Sequence, residues 1–97
     1  MGWQVAFSTR SRQDLQRLVE FIAKDDPSAA ERLGLALIDQ AESLANAPMI
    51  GIQLRERPGT RFFPSGQYLN IYRADAAKET VRILRFWHGA RGKRPLR

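Results

Sequence analysis

Cysteine is absent from the 97 residues, which removes disulfides and thiolate chemistry and suits a reducing cytosol. Histidine occurs once. With the carboxylates scattered and no His pair at helical spacing, a zinc ligand set cannot be assembled, so neither a metal nor a cofactor is expected. No apolar run approaches the roughly 20 residues needed to span a bilayer. The opening MGWQVAFS also lacks the charged region and apolar stretch of a signal peptide, so a cytoplasmic protein without a membrane partner is expected. Gly2 would suit N-myristoylation, but Ala6 stands where that motif takes Ser or Thr. Gly-rich phosphate loops, a Ser-His-Asp arrangement and helix-turn-helix spacing are missing too.

Positive charge is what the chain has in excess. Sixteen Lys plus Arg against ten Asp plus Glu give a formal net charge of +6, which points to an acidic partner: nucleic acid, an anionic surface or an acidic protein. The length predicts one domain over residues 1–97, with a modest core and no repeats or linker.

In WQVAFS, Trp3, Val5 and Phe7 alternate with Gln4, Ala6 and Ser8, which predicts a half-buried strand. Ser11 and Asp14 form a Ser-x-x-Asp start signal. Leu15, Leu18, Val19 and Ile22 then recur at helical spacing, predicting a first helix from about Arg12 to about Lys24. Asp26 and Pro27 supply the next cap and first-turn proline. Ala30, Leu33, Leu37, Ala41 and Leu44 stripe a second helix, which Asn46 and Pro48 end. So short a connection predicts an antiparallel helical hairpin. MIGIQLRERPGT reads mainly as a loop. RFF and QYLNIYRA read as strands joined by PSG, whose Gly suits positive φ, and ADAAKE links to a last strand within VRILRFWH. The expected class is α+β with order β-α-α-β-β-β: a helical hairpin on one face of a mainly antiparallel four-stranded sheet.

One sheet face would then be uncovered. With Leu69, Ile71, Val81 and Ile83 toward the helices, strict alternation puts Tyr68, Asn70, Tyr72, Arg82, Leu84, Phe86 and His88 on the open face. Such a face stacks bases and neutralises phosphates, forms half of a protein interface, or simply covers the sheet; all three readings stand. His88 is the natural general acid of the chain, yet a lone His at a strand end also reads as a hydrogen-bonded or solvated residue. Residues 90–97, with Arg91, Lys93, Arg94 and Arg97, form a basic arm or a solvated terminus.

The order FSTRSRQDLQRLVEFIA, helical hairpin, Pro48-x-x-Gly51, TRFFPSGQYLNIYRAD and VRILRFWHGAR resembles the ParE branch of the RelE/ParE toxin superfamily, the plasmid stabilisation family, over nearly the whole chain. The resemblance implies a type II toxin held inactive by a ParD-like or related antitoxin, with operator DNA reached only through the toxin–antitoxin complex. ParE-type members poison DNA gyrase, whereas RelE-type members cut messenger RNA on the ribosome. The RelE-type site gathers several Arg or Lys, a carboxylate or His, and often a Tyr. Here Leu69 stands where some members have an Arg, and HGAR replaces a His-Tyr ending.

A cleavage set, if present, is confined to Glu56, Arg61, Arg82, Arg85 and His88. The gyrase branch is therefore favoured, with binding residues expected at Arg61, Tyr68, Tyr72, Arg82, Arg85, Phe86, His88, Arg91 and Arg94 and no catalytic group. The alternatives are the ribosome-dependent ribonuclease and a non-toxic module that binds nucleic acid or protein.

Overall fold

The computed structural model describes residues 2–89. Its elements are β1 (Gln4–Phe7), α1 (Thr9–Ala23), α2 (Pro27–Ser43), a 3-10 turn (Leu44–Asn46), β2 (Ile52–Gln53), β3 (Thr60–Ser65), β4 (Tyr68–Asp75) and β5 (Thr80–His88). The strands form one sheet in the order β1-β5-β4-β3-β2. The first strand lies parallel to the last, and every other pairing is antiparallel. The expected α+β arrangement is present, with a fifth strand: the two-residue β2, expected as loop, pairs with β3 through Ile52–Phe62 and Gln53–Arg61. Gly66 takes φ +62° at the tip between β3 and β4, as its place in the turn predicted.

The first helix starts earlier than expected because Ser8, not Ser11, is its cap. The Ser8 hydroxyl accepts from Ser11 N at 3.0 Å, and Ser11 Oγ donates back to Ser8 O at 2.8 Å. Asp26 caps α2 as predicted, accepting from Ala29 N, with Pro27 in the first turn.

Asp14 is thereby left for another task. Strand β1 covers β5 only as far as Phe7 opposite Ile83, so beyond that point β5 has no strand neighbour on this side. A bare edge of N–H and C=O groups needs partners, and the start of α1 supplies them. Ser8 N donates to Ile83 O at 2.9 Å, Ser8 Oγ donates to Leu84 O at 2.9 Å, and Asp14 Oδ2 accepts from Phe86 N at 3.1 Å. Arg85 adds a fork, donating from Nε to Asp14 Oδ2 at 2.7 Å and from Nη2 to Oδ1 at 2.9 Å. The Asp14 hydrogen bond holds the Arg85 pKa above its ordinary value.

A bulge corrects the expected faces. Tyr72 pairs with Ile83 but Ile71 with Arg85, leaving Leu84 as an extra residue in β5. In β5 the bulge turns Phe86 and His88 to the helix side; in β4, which alternates without interruption, pairing with Ile83 and Phe86 puts Tyr68, Asn70 and Tyr72 on the helix side and Leu69 and Ile71 on the other, with Arg73, Arg82 and Trp87. The core joins Leu37, Ala41 and Leu44 to Tyr72, Val81, Ile83 and Phe86, with Trp3, Val5, Phe7, Leu15, Leu18 and Phe63 around it. Tyr72 and Phe86, expected on an open binding face, are thus core residues exposed by 0% and 3%.

Tyr72 from that core and Arg61 beside it on β3 anchor the 48–51 segment. Tyr72 OH donates to Pro48 O and accepts from Gly51 N, both at 2.8 Å. Arg61 Nη1 donates to Met49 O at 3.1 Å and Gly51 O at 2.8 Å. A Cβ on Gly51 would lie 2.6 Å from the Tyr72 hydroxyl, so only glycine fits. Asn70 departs from this polar accounting: it is fully buried, and neither amide atom has a hydrogen-bond partner among the described residues.

Three stability outcomes follow from these contacts, each read by urea denaturation. Asp14→Ala should cost about 2–4 kcal/mol, because it strands a mostly buried guanidinium and the Phe86 N–H; Asp14→Asn should cost less. Asn70→Leu should raise the unfolding free energy by about 1 kcal/mol, seen as a higher midpoint at unchanged slope, since it removes an unsatisfied amide; a lower midpoint would show that the amide is served in solution, as by an ordered water.

For Tyr72, burial pushes the hydroxyl pKa up. A phenol that stays neutral when folded and ionises when unfolded withdraws stability as pH rises above about 10, the unfolded value. Tyr72→Phe should cost about 1–3 kcal/mol near neutrality through the stranded Gly51 N–H. It should also abolish the alkaline-shifted step in tyrosinate absorbance.

Candidate functional site

A cleft of about 620 Å³ opens between α1 and the end of the sheet where β5 finishes beside the start of β4. One wall is α1, with Leu18 and Ile22 from its apolar stripe and Arg17 and Phe21 toward the rim. The other is Tyr68, Phe86 and His88, and the Asp14–Arg85 pair closes one end. Phe21 is 72% exposed, so this cleft presents an aromatic ring to solvent in a mixed apolar and cationic setting. Tyr68 and His88, directly opposite in register, meet edge to face with ring centroids 5.0 Å apart at 84°.

The bulge assembles this site. Because Leu84 shifts the alternation, Phe86 and His88 turn to the helix side with Tyr68, and Arg85 reaches around the uncovered strand edge to Asp14. Its guanidinium carbon also lies 5.4 Å from the Trp87 ring centroid, within cation–π range.

Four residues expected from the sequence therefore come together here: Tyr68, Arg85, Phe86 and His88. The others do not join them. Arg61 and Tyr72 hold the 48–51 segment, and Arg82 is exposed on the opposite side of the sheet. Glu56 lies in the loop between β2 and β3, whose end abuts β4 at Thr60–Arg73, whereas His88 lies at the Tyr68 end. Five residues of strand separate those ends, about 16 Å at ~3.3 Å per residue. Arg91 and Arg94 lie outside the described residues. Sequence reasoning missed Arg17 and Phe21 as site residues. Their signal was present, since both flank the Leu18–Ile22 stripe, but nothing in a helical period says which flank borders a cleft.

Proton transfer requires donor and acceptor within about 3 Å or one water of the reacting atom, and the candidate set Glu56, Arg61, Arg82, Arg85 and His88 is dispersed over both sides of the sheet. Among the described residues no group of His, Asp and Glu is arranged to hold a metal ion, and no helix is long and apolar enough to cross a membrane. What the cleft does offer is recognition: an exposed aromatic ring, apolar walls and a cationic rim.

Comparison with known proteins agrees with the fold. Residues 5–92 match the family described as the ParE toxin of type II toxin-antitoxin system, parDE. The protein called Toxin RelE1 from Caulobacter vibrioides is 33% identical over 89 residues, covering 92% of this chain and 96% of that protein. Among solved structures, the chromosomal ParDE system of P. aeruginosa superposes with TM-score 0.76 at 17% identity, over 89% of this chain and 95% of that one. The RelBE2 toxin–antitoxin complex of Mycobacterium tuberculosis gives 0.70 at 32% identity, over 91% and 99%. The chain belongs to the ParE toxin family, within the RelE/ParE superfamily of type II toxin–antitoxin toxins.

Proposed function

We propose that this toxin acts by binding, with DNA gyrase as its target, and is neutralised by a cognate antitoxin. The observation that supports a binder over a nuclease is the dispersal of Glu56, Arg61 and Arg82 away from His88. The cleft is where we place the antitoxin: Phe21, Leu18 and Ile22 suit the apolar side of an amphipathic segment, and Arg17 and the overall +6 charge suit its acidic side. The ParDE and RelBE2 neighbours are toxin–antitoxin systems. Operator DNA is then reached only through that complex.

A second reading has its own support. Two relatives above 30% identity carry RelE-type names, which favours ribosome-dependent cleavage of messenger RNA. Induction of the toxin in cells separates the two. A gyrase binder stalls replication and raises a damage response while messenger RNA stays intact; a ribonuclease cuts ribosome-bound messenger RNA.

The residue test uses growth at matched soluble expression, with thermal melting curves of the purified variants as the control for folding. His88→Gln should retain toxicity, whereas loss of a general acid would lower activity by roughly 10²–10⁴-fold. Deletion of residues 91–97 should weaken toxicity through lost electrostatic attraction. Messenger RNA cleavage abolished by His88→Gln or Glu56→Ala would overturn the gyrase reading.

A further inference from the structure

The segment after α2 displays apolar side chains instead of burying them. Met49, Ile50 and Ile52 are exposed by 50%, 55% and 57%, whereas Leu44 before them and Leu54 after them are buried. So many large apolar side chains in so short a stretch form one patch, and leaving it in water is unfavourable. It lies at a free edge of the sheet, since Ile52 belongs to β2, the end strand of the order. Neither the core nor the cleft uses these residues.

The backbone enforces this display. The Tyr72 hydroxyl holds Pro48 O and Gly51 N, Arg61 Nη1 holds Met49 O and Gly51 O, and Ile50 N donates to Ala47 O at 3.1 Å. Tyr72 is itself fixed in the core, and Gly51 has no room for a Cβ. A segment pinned at these points cannot roll Met49 and Ile50 inward. Its side chains are therefore pre-positioned, and contact with a partner orders little further backbone, which lowers the entropic cost of association.

Charges of both signs border the patch. Glu42, exposed in the last turn of α2, precedes it. Arg55, Glu56 and Arg57 follow it on an exposed turn, closed by Leu54 N to Thr60 O at 2.8 Å and Thr60 N to Arg57 O at 3.0 Å. Among the described residues none of these charged side chains has an ion-pair partner. An apolar centre within a polar rim is the anatomy of a protein interface. A rim of one sign would suit an anionic partner; an acidic residue before the patch and a basic turn after it suit a surface that meets itself.

We propose that Met49, Ile50 and Ile52 form a self-association surface whose partner is a second copy of this chain. The copies meet about a two-fold axis through the patch, apolar side chains against apolar side chains, with Glu42 of each chain toward the basic turn of the other. Such a contact closes on itself and yields dimers, not filaments. Three side chains and a turn fall short of the ~800 Å² per partner of a standard interface, so the dimer is weak and concentration-dependent. The patch shares no residue with the cleft assigned to the antitoxin, and the dimer does not depend on which target the toxin has.

The test is sedimentation equilibrium of the full-length chain over about 10 µM to 1 mM, with melting curves at low concentration to confirm folding of each variant. Wild type should pass from the mass of one chain toward that of two across the series. Ile50→Lys sets like charges against each other across the axis and should weaken association about tenfold or more without moving the melting midpoint. Leu35→Lys alters a side chain on α2 that is 57% exposed, and should leave association within about twofold. Glu42→Arg and Arg57→Glu should each weaken the dimer, and the double variant should recover most of the loss. A wild type that keeps the mass of one chain at the highest concentration would overturn the proposal, as would equal losses in Leu35→Lys and Ile50→Lys. A double charge variant no better than either single one, or masses growing beyond two chains, would overturn the two-fold contact. Monomeric wild type that co-sediments with phosphatidylglycerol vesicles would overturn the second-copy assignment and give the patch to a lipid surface.

Discussion

Asp14 holds the two layers of this protein in register. A four-residue β1 beside a nine-residue β5 leaves half of the longer strand without a neighbour on that side, and polar strand edges do not remain stable unpaired when buried. The carboxylate closes that gap from the second turn of α1, accepting from the Phe86 backbone and from the Arg85 fork at once. With Ser8 anchoring the start of the helix to Ile83 and Leu84, α1 is fixed along the strand edge. The cleft beyond it is the space left where α1 continues past the end of that contact.

The extra residue at Leu84 sorts the chemistry of the two faces. Before it, Val81 and Ile83 face the helices; after it, Phe86 and His88 do. Phe86 and His88 are thereby drawn toward the hairpin, where they line the cleft with Tyr68, and Phe86 also completes the core with Tyr72. Arg73 and Arg82 remain outside. One insertion in a strand thus separates an apolar, aromatic recognition cleft from a cationic surface on the opposite side of the sheet.

This separation bears on what the toxin does. Acid–base chemistry on a phosphodiester depends on convergence, with donor, acceptor and charge stabiliser around one atom. Binding tolerates distribution, since separate patches add their contributions along an extended partner. The proposed reading of this family member as a binder follows from the second pattern. It assigns the cleft to the antitoxin.

Local signals in the sequence decided the helical hairpin, the Asp26–Pro27 cap, the Gly66 turn and the α+β class, because each depends on a few neighbouring residues. The family resemblance was equally legible, since it rests on motif order along the chain. The faces of β4 and β5 were not legible. Tyr68-Leu69-Asn70-Ile71-Tyr72 is apolar on both sides, and alternation across an unmarked bulge reverses its own prediction. Nor could spacing reveal that Ser8 would cap α1 and release Asp14 for a residue 71 positions away. Long-range pairing of that kind exists only once the strand edge and the helix have met. Composition and periodicity therefore determined which elements form, whereas tertiary structure decided which side chains share a face, because register depends on contacts between segments that are distant in sequence.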